Sequence, residues 1–158
     1  MKKHYRLAAL LAAVMIFAGL AAGCTDAAVN TPPAAVHDSG EALPEDGIYT
    51  GAEELALYIH IYGRLPDNFI TKREARELGW DGGSLEEYAP GKCIGGDRFG
   101  NREGLLPDAP GREWTECDVN TLGADCRGAK RLVFSNDGLI YYTGDHYDSF
   151  ILFYGNPK

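Results

Sequence analysis

The chain has 158 residues and a formal net charge of −8, with four cysteines and four histidines. That length favours one domain, and the acidic balance counts against nucleic-acid binding driven by bulk charge, because phosphate contacts normally dominate such affinity. No Cys or His shows paired-ligand spacing, which argues against a zinc site.

An acidic body still leaves room for a small cationic cleft, since a bound phosphate responds to the local potential. In chain order, Lys2, Lys3 and Arg6 precede an apolar run from Leu7 to Ala22. The run falls short of the roughly 20 residues of a membrane span, and its basic start suits a secretory signal over residues 1–23. Ala21-Ala22-Gly23-Cys24 is similar to a bacterial lipoprotein processing site, which would make Cys24 an acylated N-terminus. The same small residues also suit ordinary signal cleavage nearby. The expectation is an extracytoplasmic protein, lipid-anchored or fully secreted. Residues 24–45 are rich in Ala, Pro and acids and read as a disordered tether. The domain is expected over 46–158, long enough for one modest core.

The first half of that domain reads as helical. Thr50 and Glu53 have capping-box spacing, and Ala52, Leu55, Ile59 and Tyr62 recur on one helical face. Gly63 is a natural stop and Pro66 blocks continuation. Thr71 with Glu74 opens a second helix through Leu78, ended by Gly79. Ser84 with Glu87 suggests a third helical turn, closed by Pro90-Gly91. After Lys92 come short β-prone runs: Cys93 to Phe99, Glu113 to Val119, Arg131 to Ser135, Leu139 to Thr143 and Phe150 to Tyr154. Asn136-Asp137-Gly138 is a hairpin signal. Helices followed by strands predict an α+β fold, with N-terminal helices on one face of a single antiparallel sheet and the other face open. With Cys24 set aside, Cys117 and Cys126 flank a presumed hairpin loop and are placed to pair. The alternative is three reduced thiols, Cys93 included.

The segments Leu65-Pro66-Asp67-Asn68-Phe69-Ile70-Thr71-Lys72, Leu78-Gly79-Trp80, Ala89-Pro90-Gly91-Lys92, Ile94-Gly95-Gly96-Asp97, Asn101-Arg102-Glu103-Gly104 and Asp145-His146-Tyr147 occur in an order and spacing that resemble the barnase-like bacterial guanyl-specific ribonucleases. The resemblance covers Ile48 to Phe150. It implies the fold of microbial ribonucleases, a cleft across the sheet, and cleavage of single-stranded RNA after guanosine. It matches Glu116 to the general base and His146 to the general acid. Arg127 and Arg131 match phosphate-binding arginines, and Lys72 the lysine that supports them. Phe99, Asn101, Arg102 and Glu103 fall on the guanine-recognition loop, and Tyr147 on the tyrosine lining the nucleotide site. Asp118 and Asp97 are expected to give structural support. Two residues fewer than in the family separate Trp80 from Pro90, and one more separates Asn120 from Arg131; the family's basic residue at Gly63 is missing.

The chemistry needs those residue types. A base takes the proton of the ribose 2′-hydroxyl as it attacks phosphorus, and an acid protonates the departing 5′-oxygen. Taken alone, Glu116 reads as a solvent-facing strand carboxylate and His146 as a surface histidine. The run Tyr142-Thr143-Gly144-Asp145-His146-Tyr147 is what turns the reading towards catalysis. Arginine forks and a lysine offset charge gathering on the phosphoryl oxygens. Glu103 offers an acceptor for guanine N1 and N2 hydrogens, and backbone N–H groups near Asn101 and Arg102 offer donors to O6. Arg112 and Asp137 are expected to form a structural ion pair. No cofactor and no metal are called for, and the chain is expected to be a monomer. The competing reading is a tethered module that captures guanine nucleotides or RNA without turnover. A third is a competition toxin, differing in role rather than chemistry. Either enzymatic role implies an acidic cytoplasmic inhibitor similar to barstar.

Overall fold

The structure is a computed structural model, and it describes residues 43–157. The expected signal, the acylated Cys24 and most of the tether therefore lie outside the described residues. The segment before Asp46 is already fixed where it is described. Tyr62 Oη donates to the Leu43 carbonyl at 2.5 Å, Tyr49 Oη to Pro44 at 2.9 Å and Tyr58 Oη to Glu45 at 2.9 Å.

Helix α1 spans Ala52–Tyr62 and packs its apolar stripe, led by Leu55, Ala56, Tyr58 and Ile59, against the sheet. Its start corrects one expectation. The N-cap is Gly51 with no side-chain cap, so Thr50 and Glu53 form no capping box. The Thr50 carbonyl instead accepts from Asn120 N at 2.8 Å, which ties that backbone to the sheet side of the molecule. Gly63 ends the helix at φ 66°, donating its N–H to Ile59; a left-handed residue here favours glycine. A two-residue strand that the sequence pattern does not reveal, β1 (Phe69–Ile70), follows.

Helix α2, Lys72–Glu77, has the capping box its sequence predicts. Thr71 Oγ1 accepts from Glu74 N, and Thr71 N donates to Glu74 Oε2 at 2.8 Å. Bonds from the Thr71 hydroxyl first and the Thr71 N–H second hold the Glu74 carboxyl below its usual range. The stretch after Ser84 is a single hydrogen-bonded turn rather than a helix, with Tyr88 N and Ala89 N both donating to Leu85 O.

The strands are β2 (Cys93–Phe99), β3 (Trp114–Asp118), β4 (Arg131–Ser135), β5 (Ile140–Thr143) and β6 (Ile151–Tyr154). With β1 they form one sheet in sequence order. β1 runs parallel to β2, and every other pair is antiparallel. This is the expected α+β architecture. Helix α1 covers β4 to β6, while α2 lies against β2 at the far end of the sheet.

Strand alternation sorts the two faces. The row Cys117–Leu132–Tyr142 faces α1 and joins its core. The row Glu116–Val133–Tyr141 faces the opposite way, where Trp114, Leu106, Leu139, Val133 and Tyr141 form a second cluster. A bulge at Gly95/Asp97, with Gly96 at φ 95°, re-aims the end of β2 so that Asp97 lies opposite Glu116.

The same alternation corrects the cysteine pairing. Cys117 points into the core beneath α1 and is a free, fully buried thiol, whose ionisation burial pushes well upward. Cys126 sits instead in the loop that folds over the Asp118 and Arg127 side. The two do not bond, since Cys117 is a free thiol, as is Cys93.

Candidate active site

Glu116 is at the centre of β3 on the face away from α1, 8% exposed. Both its carboxylate oxygens are engaged. Oε1 accepts from the Lys72 ammonium, and Oε2 from the Tyr147 hydroxyl at 2.5 Å. Lys72 reaches it from the first turn of α2, whose backbone is fixed by a bond from Lys72 N to Asp97 Oδ2 at 2.9 Å. Asp97 thus ties the start of α2 to β2. Burial raises the Tyr147 phenol above its ordinary range, and the bond to Glu116 raises it further, so Tyr147 remains a donor.

His146 and Tyr147 sit in the β5–β6 connection. Both hold left-handed backbone, at φ 58° and 77°. Such conformations cost about 1–3 kcal/mol each for ordinary residues, so the surroundings must impose them. The imidazole is exposed, and its ring lies 4.8 Å from that of Tyr147. Tyr147 in turn packs 5.2 Å from Phe99, which contacts Phe150 at 6.0 Å. An open cleft of about 690 Å³ is lined by Lys72, Phe99, Glu116, His146 and Tyr147, among others. The structure thus brings the carboxylate and the imidazole to one face and one cavity.

The loop after β2 forms the other wall. Asn101 spends its side chain on the loop itself. Its Nδ2 donates to Leu106 O at 2.8 Å and Asp108 Oδ1 at 3.1 Å, and its Oδ1 accepts from Leu106 N at 3.0 Å. Asn101 takes φ 41° and its carbonyl accepts from Gly104 N, closing a tight turn. Arg102 and Glu103 are exposed at its tip and line the cleft. Arg98, Gly100 and Asp148 line it too and were not among the expected residues. The position of Asp148, next to His146-Tyr147, was the available signal.

The two arginines flank this cleft rather than line it. Arg127 gives a bidentate fork to Asp118, Nε to Oδ2 and Nη2 to Oδ1, both at 2.7 Å. Its guanidinium also lies 5.8 Å from the centre of the Trp80 ring. Arg131 pairs across the ladder from Asp118. Its Nε is 2.9 Å from Asp118 Oδ1, near enough for an ion pair but off the N–H line, so no hydrogen bond forms there. Arg131 Nη1 donates to the carbonyls of Arg127 and Lys130. Asp118, 1% exposed, is therefore the counter-charge to both arginines. Away from the site, Arg112 and Asp137 form the expected ion pair at 2.7 Å.

A cleft holding a carboxylate, an imidazole, a lysine and nearby arginines has the parts for two coordinated proton transfers beside a phosphoryl group. Comparison with known proteins gives the chain its relatives. A ribonuclease family model matches residues 53–154. The chain is 43% identical over 153 residues to a ribonuclease of Bacillus pumilus, covering 92% of this chain and 93% of that protein. It is 56% identical over 98 residues to a ribonuclease of Heyndrickxia coagulans, covering 61% of this chain and 89% of that protein. A shorter match, 47% over 57 residues, is to guanyl-specific ribonuclease St of Saccharopolyspora erythraea, covering 36% of this chain and 56% of that protein.

Proposed function

The chain belongs to the ribonuclease family and is an RNA-cleaving enzyme, and from that premise we propose that it cuts single-stranded RNA after guanosine by metal-free acid–base catalysis. Glu116 takes the 2′-hydroxyl proton as that oxygen attacks phosphorus. The bond from phosphorus to the 5′-oxygen breaks, and His146 supplies the proton to the departing oxygen. The product is a guanosine 2′,3′-cyclic phosphate. In a second step the roles reverse and water opens the ring. DNA lacks the 2′-hydroxyl, so it binds without being cut.

The observation that carries this reading is the shared cleft of Glu116, His146 and Tyr147, with Lys72 bonded to Glu116. Arg127 and Arg131, held by Asp118, stabilise charge on the phosphoryl oxygens. Glu103 and the backbone around Asn101 and Arg102 read the guanine edge, with Phe99 and Tyr147 supplying aromatic surface. The guanyl preference is further supported by the guanyl-specific relative, matched over part of its length.

The test is cleavage of a guanosine-containing dinucleotide in the presence of a chelator. The wild type should release the cyclic phosphate. Glu116→Gln and His146→Ala should each lose about 10²–10⁴-fold in rate. Wild-type rates in either variant, or loss of activity on chelation, would refute the assignment.

We also propose export and acylation of Cys24, on the basic start and apolar run of the sequence. Mass spectrometry of the native protein would read the N-terminus directly. An inhibitor similar to barstar is proposed on the same footing, since an active ribonuclease endangers its own cell; co-purification of the two proteins would test it.

A further inference from the structure

The turn carrying His146 keeps two adjacent non-glycine residues, His146 and Tyr147, in left-handed backbone. Released from constraint, such residues return to negative φ, which would swing the imidazole away from the cleft. The constraint comes from Asp145 and its partners. Thr143, fully buried at the end of β5, donates Oγ1 to Asp145 Oδ1 at 2.8 Å and accepts from Tyr147 N at 3.0 Å. Asp145 Oδ1 also accepts from Ser149 N at 3.0 Å, and Oδ2 from Ser149 Oγ at 2.6 Å. One carboxylate therefore spans the turn from residue 143 to residue 149, with His146 between. His146 N donates to Ala129 O at 3.3 Å, resting the turn on the segment next to Arg127. Partial burial works against ionisation of Asp145, but the Ser149 and Thr143 donors outweigh it and its carboxyl lies below the usual range. The donors of the brace thus favour its carboxylate form.

We infer that Asp145 is a positioning residue for the cleavage step, bracing the Thr143–Ser149 turn so that the His146 imidazole stays aimed at the leaving oxygen. This rests on the assignment of His146 as the acid. Proton transfer needs the acid within hydrogen-bond reach, and a misplacement of 1 Å in a reacting group is enough to cost about 10²-fold in rate.

The experiment compares Asp145→Asn, Asp145→Ala and Ser149→Ala with the wild type, each well below its own melting temperature. Two substrates are used: a guanosine dinucleotide, and guanosine 3′-(4-nitrophenyl phosphate), whose leaving group departs without an acid. On the dinucleotide, Asp145→Ala should lose about 10–100-fold in kcat with KM within about twofold. Asp145→Asn keeps an acceptor oxygen for Thr143 and Ser149 N and should retain most of kcat. Ser149→Ala removes one bond only and should lose kcat several-fold. On the nitrophenyl substrate the deficits of Asp145→Ala and Ser149→Ala should largely vanish, a pattern that a loss of folded protein does not produce.

An unchanged kcat in Asp145→Ala, or equal deficits on both substrates, overturns the inference. So does an Asp145→Asn variant as impaired as Asp145→Ala, since charge rather than bracing would then be at work. If Asp145→Ala does not fold, Ser149→Ala and Asp145→Asn on the two substrates decide alone. A His146→Ala variant as active as wild type on the dinucleotide would instead refute the underlying acid assignment, a separate and distinguishable failure.

Discussion

The Tyr147 hydroxyl donates to Glu116 Oε2 at 2.5 Å, so the side chain packed beside His146, the proposed acid, also engages the carboxylate proposed as the base. Tyr147 thereby joins the two sides of the cleft. Its ring is shared with Phe99, and its hydroxyl holds one of the two oxygens that a ribose hydroxyl would approach.

Two substitutions separate those contributions. Tyr147→Phe keeps the ring and should leave KM for a guanosine dinucleotide close to wild type. Tyr147→Ala removes the aromatic surface and should raise KM about tenfold or more, in line with about 1–3 kcal/mol for a base–aromatic contact. Steady-state kinetics on both variants checks this; equal KM values would remove Tyr147 from the binding surface.

Glu103 lies exposed at the tip of the loop after β2, facing the cleft. Glu103→Ala should narrow the ratio of kcat/KM between guanosine and adenosine dinucleotides by about tenfold or more, because it removes the proposed acceptor for guanine N1 and N2 hydrogens, and a lost polar contact to the correct base weakens discrimination. A ratio that does not move would exclude Glu103 from base reading.

Asp118 is 1% exposed and balances two guanidinium groups. Asp118→Asn keeps the shape and removes the charge, leaving both arginines without their counter-ion. Breaking a buried pair in this way costs about 3–5 kcal/mol. Urea unfolding should show that loss as a lower midpoint with an unchanged slope; a midpoint within error of wild type would contradict the pairing.

Asp137 accepts from Arg112 and from Ser135 Oγ, and these bonds depress its carboxyl below the ordinary value of 3.8. A depressed carboxyl adds stability that is present above 3.8 and lost as pH falls through the folded-state value. Its side chain is 45% exposed, so solvent screening keeps the effect small. Asp137→Asn should therefore lower the melting temperature slightly at pH 7, and the gap should close towards pH 2. A gap that persists or widens in acid would reverse the sign.

Much of this architecture was legible because it is locally encoded. The Thr71–Glu74 capping box, the Gly63 stop and the Asn136-Asp137-Gly138 turn each depend on a few consecutive residues, and each forms. The same spacing at Thr50–Glu53 forms no box, because the N-cap falls one residue later, at Gly51, while the Thr50 carbonyl accepts from the distant Asn120 N. Nearness in sequence likewise misled the pairing of Cys117 with Cys126. Alternation along β3 already implies that if Glu116 and Asp118 face the cleft, Cys117 faces the core. What sequence reading did not reach were bonds across the sheet: Tyr147 to Glu116, Lys72 to Glu116, and the role of Asp97 in seating α2. No periodicity carries such contacts, since they exist only once β2, β3 and the β5–β6 turn have met.

The three phenols that grip Leu43, Pro44 and Glu45 belong to α1 and the segment leading into it, on the reverse of the sheet from Glu116. The described chain thus begins on the side of the body away from the mouth of the cleft.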